Sequence, residues 1–334
     1  MDLTTTYLGL ALRNPLVASA SPLSQSVAGV ERLAAAGVGA IVLPSLFEEQ
    51  VREEAERTER LLDHAGELSA ESLTMFPPPP DGSGHATRYL SLVRRAAEAV
   101  DVPVIASLNG VTAGGWIHYA AELQAAGAAA VELNIYHLPG DPRTTGREVE
   151  ARHLEILTAV KAAVTVPVAV KLTPYFSSIG DMALRLDEAG ADGLVLFNRF
   201  MQPDVDTETL KVTAVVELSQ PVEARLPRAW IALLSGRVRA SLAATTGVED
   251  ATDVVKFLLA GADVVMTASA LLRHDPGYAR VMLDGLRDWM DRKGFQSVAD
   301  LRGRLRVPVE PDQAGFERSR YVAAMHDARQ RYGP

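Results

Sequence analysis

Hydrophobic positions along this chain switch between two periods in a regular rhythm. Short continuous runs rich in Val, Ile, Leu and Ala alternate with longer stretches whose apolar residues recur every three to four positions. A short apolar run closed by turn residues reads as a strand buried on both faces, and the 3.6-residue period reads as amphipathic helix. The runs fall at 14–22, Ala40–Leu43, Val102–Ser107, Ala129–Asn134, Val166–Lys171, Gly193–Phe197, Ala240–Ala244 and Val264–Met266. Between them the pattern predicts helices over Ser26–Ala36, Thr87–Val100, Ala113–Ala126, Gly146–Val164, Ser178–Ala189, Pro227–Leu234 and Glu249–Ala260. More helix is expected at Pro276–Arg292 and from Ser297 onward. Gly37, Gly127 and Gly236 stand where helices should stop.

Three stretches break the rhythm. Leu3–Leu12 reads as a short hairpin turning near Gly9. Leu46–Asp63 is charged and helical, ahead of Met75-Phe76, four prolines and Asp81-Gly82-Ser83-Gly84, which exclude long regular structure. Residues 60–85 are therefore expected as a lid or as a surface excursion. Residues 201–225, with Val212–Val216 extended, suggest a β-ribbon inserted after the sixth strand. Eight strands, each followed by a helix or an insertion, make an α/β fold. The expected architecture is a (β/α)8 TIM barrel with an N-terminal β-hairpin and loop insertions at its C-terminal face. One domain over 1–306 and a peripheral tail over 307–334 are expected. No Gly-x-Gly-x-x-Gly follows an early strand, which argues against a doubly wound dinucleotide fold.

Composition narrows the function. The 334 residues carry a formal charge of −9, which disfavours nucleic acid or an anionic membrane as main partner. The absence of cysteine removes disulfides, thiolate metal sites and a cysteine nucleophile. The opening MDLTTTYLGL lacks the features of a signal peptide, and no apolar run reaches membrane-spanning length, so a soluble, cytoplasmic protein is expected. Asp204, Asp206 and Glu208 alternate without the glycine of a calcium loop, so no metal site is assigned. His153 lies near the apolar face of its helix and reads as a satisfied core histidine.

Candidate chemistry gathers at the ends of the strands. Lys171 closes the run VPVAVK, where a barrel keeps its active site and where burying an unpartnered ammonium is costly. The loops after the seventh and eighth strands are Thr245-Thr246-Gly247-Val248 and Thr267-Ala268-Ser269, small and rich in hydroxyls and backbone N–H groups, as suits a phosphate. A phosphate at one rim and a lysine on strand five suggest a phosphorylated cofactor across the mouth. With FMN, Lys171 would stabilise the negative charge that develops on the ring during reduction. Asn134 and Asn198, ending the flanking strands, could bond that ring or a substrate carbonyl. Each feature also has a plain structural account: a lysine snorkelling to the rim, two tight turns, two capping asparagines.

Several segments together resemble one family. They are Asn14-Pro15-Leu16 with Ala18-Ser19, Glu132-Leu133-Asn134 with Pro139-Gly140, and Val170-Lys171-Leu172-Thr173-Pro174-Tyr175-Phe176. Gly261-Ala262-Asp263-Val264-Val265 with Ser269-Ala270-Leu271, and Arg292-Lys293-Gly294-Phe295 with Leu301-Arg302-Gly303-Arg304, extend the likeness to about residue 306. The chain resembles the dihydroorotate dehydrogenase family of flavin enzymes, in a divergent branch. The resemblance implies a barrel holding FMN non-covalently, often as a homodimer. Ala18, Ser19 and Ser45 would contact the flavin. Asn109, Asn134 and Lys171 would lie near its ring, and Asn198 near ring or substrate. Thr246, Gly247, Thr267, Ala268 and Ser269 would surround the phosphate.

The chain also departs from the family pattern. Pro44 replaces the lysine beside the second-strand serine, and Thr246-Gly247 replaces a glycine pair. The family's substrate loop has no match, Leu73–Pro77 standing near its place. The position of the catalytic base, a Cys or Ser in the family, falls on His137, preceded by Tyr136 where a serine would be. Imidazole suits general acid–base work, although a surface-loop histidine is the plainer account. The function expected is that of an FMN-dependent oxidoreductase acting on CH–CH groups. It would pass a hydride between a small, pyrimidine-like substrate and flavin N5, with His137 or Tyr136 moving the proton and an unknown electron acceptor. The alternatives are a genuine dihydroorotate dehydrogenase, a flavin-binding electron-transfer subunit dependent on a redox partner, and a non-flavin barrel for a phosphorylated metabolite.

Overall fold

The computed structural model describes residues 1–53, 84–137, 140–199, 203–213, 217–308 and 313–333. Nearly all of the expected lid, the segment Leu73–Pro77, Pro139 and residues 214–216 lie outside them.

Strands β1 (Thr5–Tyr7) and β2 (Leu10–Leu12) form the expected hairpin, turning through Leu8 and Gly9, both at positive φ. The eight parallel strands are β3 (Leu16–Ala18), β4 (Ala40–Phe47), β5 (Val104–Asn109), β6 (Ala130–Asn134), β7 (Val168–Leu172), β8 (Gly193–Leu196), β11 (Ser241–Ala244) and β12 (Val264–Thr267). They close in the order β11-β12-β3-β4-β5-β6-β7-β8. The expected ribbon is the antiparallel pair β9 (Asp204–Asp206) and β10 (Lys211–Thr213). Asp206 Oδ1 accepts from the N–H groups of Glu208 and Thr209, so this carboxylate shapes the ribbon turn.

The outer helices are α1 (Val27–Ala35), α2 (His85–Ala99), α3 (Ala113–Ala125), α4 (Gly146–Ala163), α5 (Ile179–Glu188), α6 (Arg225–Leu234) and α7 (Ala251–Ala260). They are followed by α8 (Ser269–His274), α9 (Tyr278–Lys293), α10 (Val298–Leu301) and α11 (Gln313–Tyr332). Side-chain caps explain several starts: Ser26, Thr112, Thr145, Ser178 and Asp250 each accept from an N–H of the first turn.

One expectation needs correction. Strand β4 does not end at Pro44-Ser45 but runs on to Phe47. Its register against β5 shifts between Val42 and Ser45, and such an irregularity is where a strand tolerates a residue without an N–H. The stretch after 307 contains the twenty-residue helix α11, within the region from Ser297 onward where more helix is expected.

The core has two parts. One packs the strands against the helices, with Leu33, Leu123, Leu157, Met182 and Phe257 among its buried members. The other fills the barrel, where Val17, Val42, Ile105, Val195 and Met266 share the interior with small Ala40, Ala130, Ala169 and Ala243. Tyr7 and Leu8 of the hairpin belong to this inner cluster and plug the N-terminal end. The Leu8 N–H donates to Ser241 Oγ at 3.1 Å. Gly193 is needed there, because a Cβ would come within 2.4 Å of Leu8 Cδ2. The plugged end leaves the C-terminal mouth as the open face.

Candidate active site

Parallel pairing brings the polar strand ends into one layer. Asn134 lies opposite Lys171 in the β6–β7 register, and Ser45 lies opposite Ser107 in β4–β5. Their side chains are joined. Asn198 Nδ2 donates to Asn134 Oδ1 at 2.6 Å, and Asn134 Nδ2 donates to Ser45 Oγ at 3.1 Å. Ser45 Oγ is 2.8 Å from Ser107 Oγ. The link ties together the ends of four strands and fixes the amide orientations. Asn109 is buried at the end of β5 and makes no side-chain hydrogen bond among the described residues.

Lys171 points into the same layer. Its ammonium lies 3.4 Å from Glu132 Oε1, with the lysine side chain 11% exposed and the glutamate 1%. The alternation of β6 explains the pairing, since Glu132 and Asn134 are two apart and share the inward face. Glu132 Oε2 is buried without a partner among the described residues, and so is the Tyr7 hydroxyl. Burial first, and the Glu132 charge second, raise the Tyr7 pKa well above the ordinary phenol value. Tyr89 of α2 braces the rim, its hydroxyl donating to Pro44 O at 2.6 Å. Burial holds that hydroxyl protonated far above the usual range, with the Ser107 N–H opposing and Glu132 adding to the rise.

The opposite rim is built by the turns after β11 and β12. Thr246 has φ 79° and Gly247 φ 71°, so a β-branched residue occupies a left-handed conformation that glycine would adopt without penalty. Thr246 Oγ1 donates to Phe197 O at 3.0 Å. Gly247 cannot be larger: a Cβ would lie 2.6 Å from the Ala224 nitrogen. Ser219 sits between the turns. Its hydroxyl accepts from the Gly247 N–H at 3.1 Å and lies 2.9 Å from Ser269 Oγ, which also accepts from the Ser219 N–H at 3.0 Å. Arg273 donates to Ser219 O at 2.8 Å and pairs with Glu249. Thr267 Oγ1 is committed to Val248 O at 3.0 Å.

A cavity of about 250 Å³ connects the two rims. Its lining includes Lys171 and Asn198 at one end, with Thr246, Gly247, Ala268 and Ser269 at the other. Ala20 and Ser21 form its wall at the β3 side, while the expected contacts Ala18 and Ser19 are buried just below. A second cavity of about 910 Å³ opens outward and shares Phe197, Asn198, Arg199, Glu217 and Thr246 with the first. Tyr136 and Tyr175 stand on its wall. His137 does not reach either space. It lines a separate cleft with Asp141, Glu148 and Arg152 over the start of α4. Burial, then the Arg152 charge, lowers the His137 pKa below the ordinary histidine value.

Several site residues escape sequence reading. Ser107 and Glu132 carried a usable signal, because each lies two residues before a noted asparagine on the same strand face. Ser219 carried none, since only the return of the chain after the ribbon brings it between two turns some thirty and fifty residues away. His153 is in the core as expected, with Nδ1 2.7 Å from Val149 O. It is not fully satisfied, because Nε2 has no partner among the described residues and the ring packs edge-on to Phe176 at 5.1 Å.

Comparison with known proteins places this geometry in a family. The dihydroorotate dehydrogenase family profile matches residues 2–290. A dihydroorotate dehydrogenase B (NAD(+)) catalytic subunit of Methanocella arvoryzae is 30% identical over 301 residues, covering 89% of this chain and 95% of that protein. The subunit of the same name from Methanothermobacter thermautotrophicus is 26% identical over 310 residues, covering 90% and 97%. That of Shouchella clausii is 33% identical over 215 residues, covering 61% and 68%. The match spans the hairpin plug, all eight barrel strands and the mouth, and this chain therefore belongs to the dihydroorotate dehydrogenase family, oxidoreductases that act on CH–CH groups.

Proposed function

We propose that this protein binds FMN across the barrel mouth and transfers a hydride between a small, pyrimidine-like substrate and flavin N5. The observation that carries the reading is the continuous cavity from the Lys171 ammonium to the turns at Thr246-Gly247 and Ala268-Ser269. A cation at one end and compact turns with backbone N–H groups at the other suit a molecule with an electron-accepting ring and a phosphate. When bound, FMN would supply the two-electron chemistry that no side chain of this composition can provide.

The chain's own residues supply the rest. Lys171, held against Glu132 at 3.4 Å, keeps a positive charge where negative charge develops. Asn134 and Asn198 are locked in orientation through Ser45 and Ser107, so they can present fixed donors and acceptors to a planar ligand. Phe197 and Met266, which line the same cavity, keep water from its floor. Tyr136 faces the outer cavity and is the better placed proton-transfer group. His137, with its lowered pKa, is neutral near pH 7 and so has the form of a base, but its cleft lies apart from the mouth.

The test is the visible spectrum of purified protein, with mass identification of the released chromophore. A flavin spectrum and released FMN are the expected result. Colourless protein that also fails to bind added FMN overturns the assignment. A second reading, dihydroorotate dehydrogenase proper, draws on the names of the relatives. It requires turnover of dihydroorotate within the ordinary enzyme range of about 1–1000 per second, measured on the FMN-loaded protein.

A further inference from the structure

The outer cavity, about 910 Å³, is larger than the inner one of about 250 Å³ and meets it at Phe197 and Asn198. Local sequence explains its walls. After β7, Thr173 Oγ1 accepts from the Tyr175 N–H at 3.3 Å, and the turn around Pro174 leaves the Tyr175 ring 61% exposed on the cavity wall. Elsewhere on the wall the turn Pro221–Ala224 leads into α6, and Val222 and Leu226, four residues apart, both face the cavity. Both are exposed, 62% and 49%, and so is Tyr136. Four large apolar or aromatic side chains left uncovered around one cavity form the kind of patch that marks a binding surface. Buried Phe197, with Pro203 and Pro227, completes the apolar part of the lining among the described residues.

The charges on the wall largely engage one another. Arg199 Nε donates to Glu223 Oε1 at 3.0 Å, and its Nη1 donates to the Glu217 carbonyl. Glu223 Oε2 accepts from the Gln220 N–H at 2.6 Å, so the pair fastens the chain after the ribbon to the start of α6. Two arginines, Arg199 and Arg225, stand against three carboxylates, Asp204, Glu217 and Glu223, which leaves the described wall at −1. A carboxylate or phosphate finds no surplus of positive charge there, and an ammonium would meet Arg225. Uncharged apolar surface gains from such walls, and an aromatic ring can stack on a tyrosine. Several hundred Å³ suits a drug-sized molecule rather than a single six-membered ring. With FMN in the inner cavity, the reading proposed above, we infer that the substrate carries an uncharged, ring-bearing group beyond its reacting ring, seated in the outer cavity against Tyr175, Val222 and Leu226.

Calorimetric titration of the FMN-loaded protein tests this, with uracil and with uracils carrying a benzyl group in turn at each ring position. The expected result is that at least one benzyl derivative binds about 10- to 100-fold more tightly than uracil, the gain from burying one aromatic ring. Leu226→Asp and Tyr175→Ala should each shrink that ratio, which divides out any general loss of folded protein. Equal affinity for uracil and every benzyl derivative, or no measurable binding by any of them, overturns the inference while FMN uptake stands. A gain that both substitutions leave unchanged overturns it too. So does tighter binding when the benzyl group carries a carboxylate or an ammonium, which would assign the cavity to a charged substrate. Protein that takes up no FMN fails earlier, at the cofactor, and the inference falls with that reading.

Discussion

Lys171 and Glu132 form a pair in which neither charge can be removed alone without cost. Deleting one member of a buried pair leaves the other uncompensated, at about 3–5 kcal/mol, whereas replacing both can be close to neutral. Lys171→Met should therefore lower the urea midpoint strongly, and Lys171→Met with Glu132→Gln should recover most of the loss. The double variant should still be impaired in flavin reduction by about 100- to 1000-fold, as expected when a preorganised stabilising charge is lost. Equal stability of the single and double variants would sink this account. At Thr246 the left-handed backbone reverses the usual order of substitutions. Thr246→Gly should be more stable than Thr246→Ala by about 1 kcal/mol in denaturant titrations, because alanine keeps the strain and glycine relieves it. The lysine was legible in the sequence as a charge ending a buried strand, and the lost glycine as a departure from the family pattern. That the backbone keeps its left-handed form under a threonine was not, since it depends on the Phe197 carbonyl and on the crowding around Gly247.

Among the elements, α4 links pH to stability. His153 has zero exposure, and burial above all pushes its pKa below the ordinary 6.5. Above that value both folded and unfolded chains keep the imidazole neutral. As pH falls through 6.5 the unfolded chain gains the proton first, so stability declines until the lower folded pKa is passed. His153→Leu should flatten that decline, by on the order of 1 kcal/mol between about pH 7.5 and 5.5. A parallel pH dependence in parent and variant would remove His153 as the cause. If His137 is the base, kcat/KM should instead show an acid limb with an inflection below 6.5, and His137→Gln should abolish the limb. The strands were legible because each is a run buried on both faces, and the helices because caps such as Ser26 and Thr145 announce them. β4 was cut short in the reading because Pro44 is a breaker locally, and only the irregular pairing with β5 lets the strand continue.

For the whole molecule, the proposed ligand should act as a structural member of the mouth. FMN at about 100 times its Kd adds about 2.7 kcal/mol, which for a domain of this size corresponds to roughly 5 °C in Tm. Thermal scans with added FMN should show that rise, and riboflavin, lacking the phosphate, should give less. An identical rise with both would remove the phosphate turns from the argument. The closed barrel was legible from eight repeats of one rhythm. The continuity of its two mouth cavities was not, because it is set by where the chain returns at Glu217–Ser219 after the ribbon.

The hairpin plug has a consequence for how this protein is made. Thr5 Oγ1 donates to Asp263 O, 258 residues away, and the Asp2 N–H to Gln296 O. A ribosome adding about 5–20 residues per second leaves these first residues waiting roughly ten seconds or more for their partners. During that interval the inner layer that Tyr7 and Leu8 will cover has neither its stopper nor its last two strands. The nascent chain, rather than the finished barrel, is therefore the form in which this protein offers most apolar surface to chaperones and to its neighbours on the polysome.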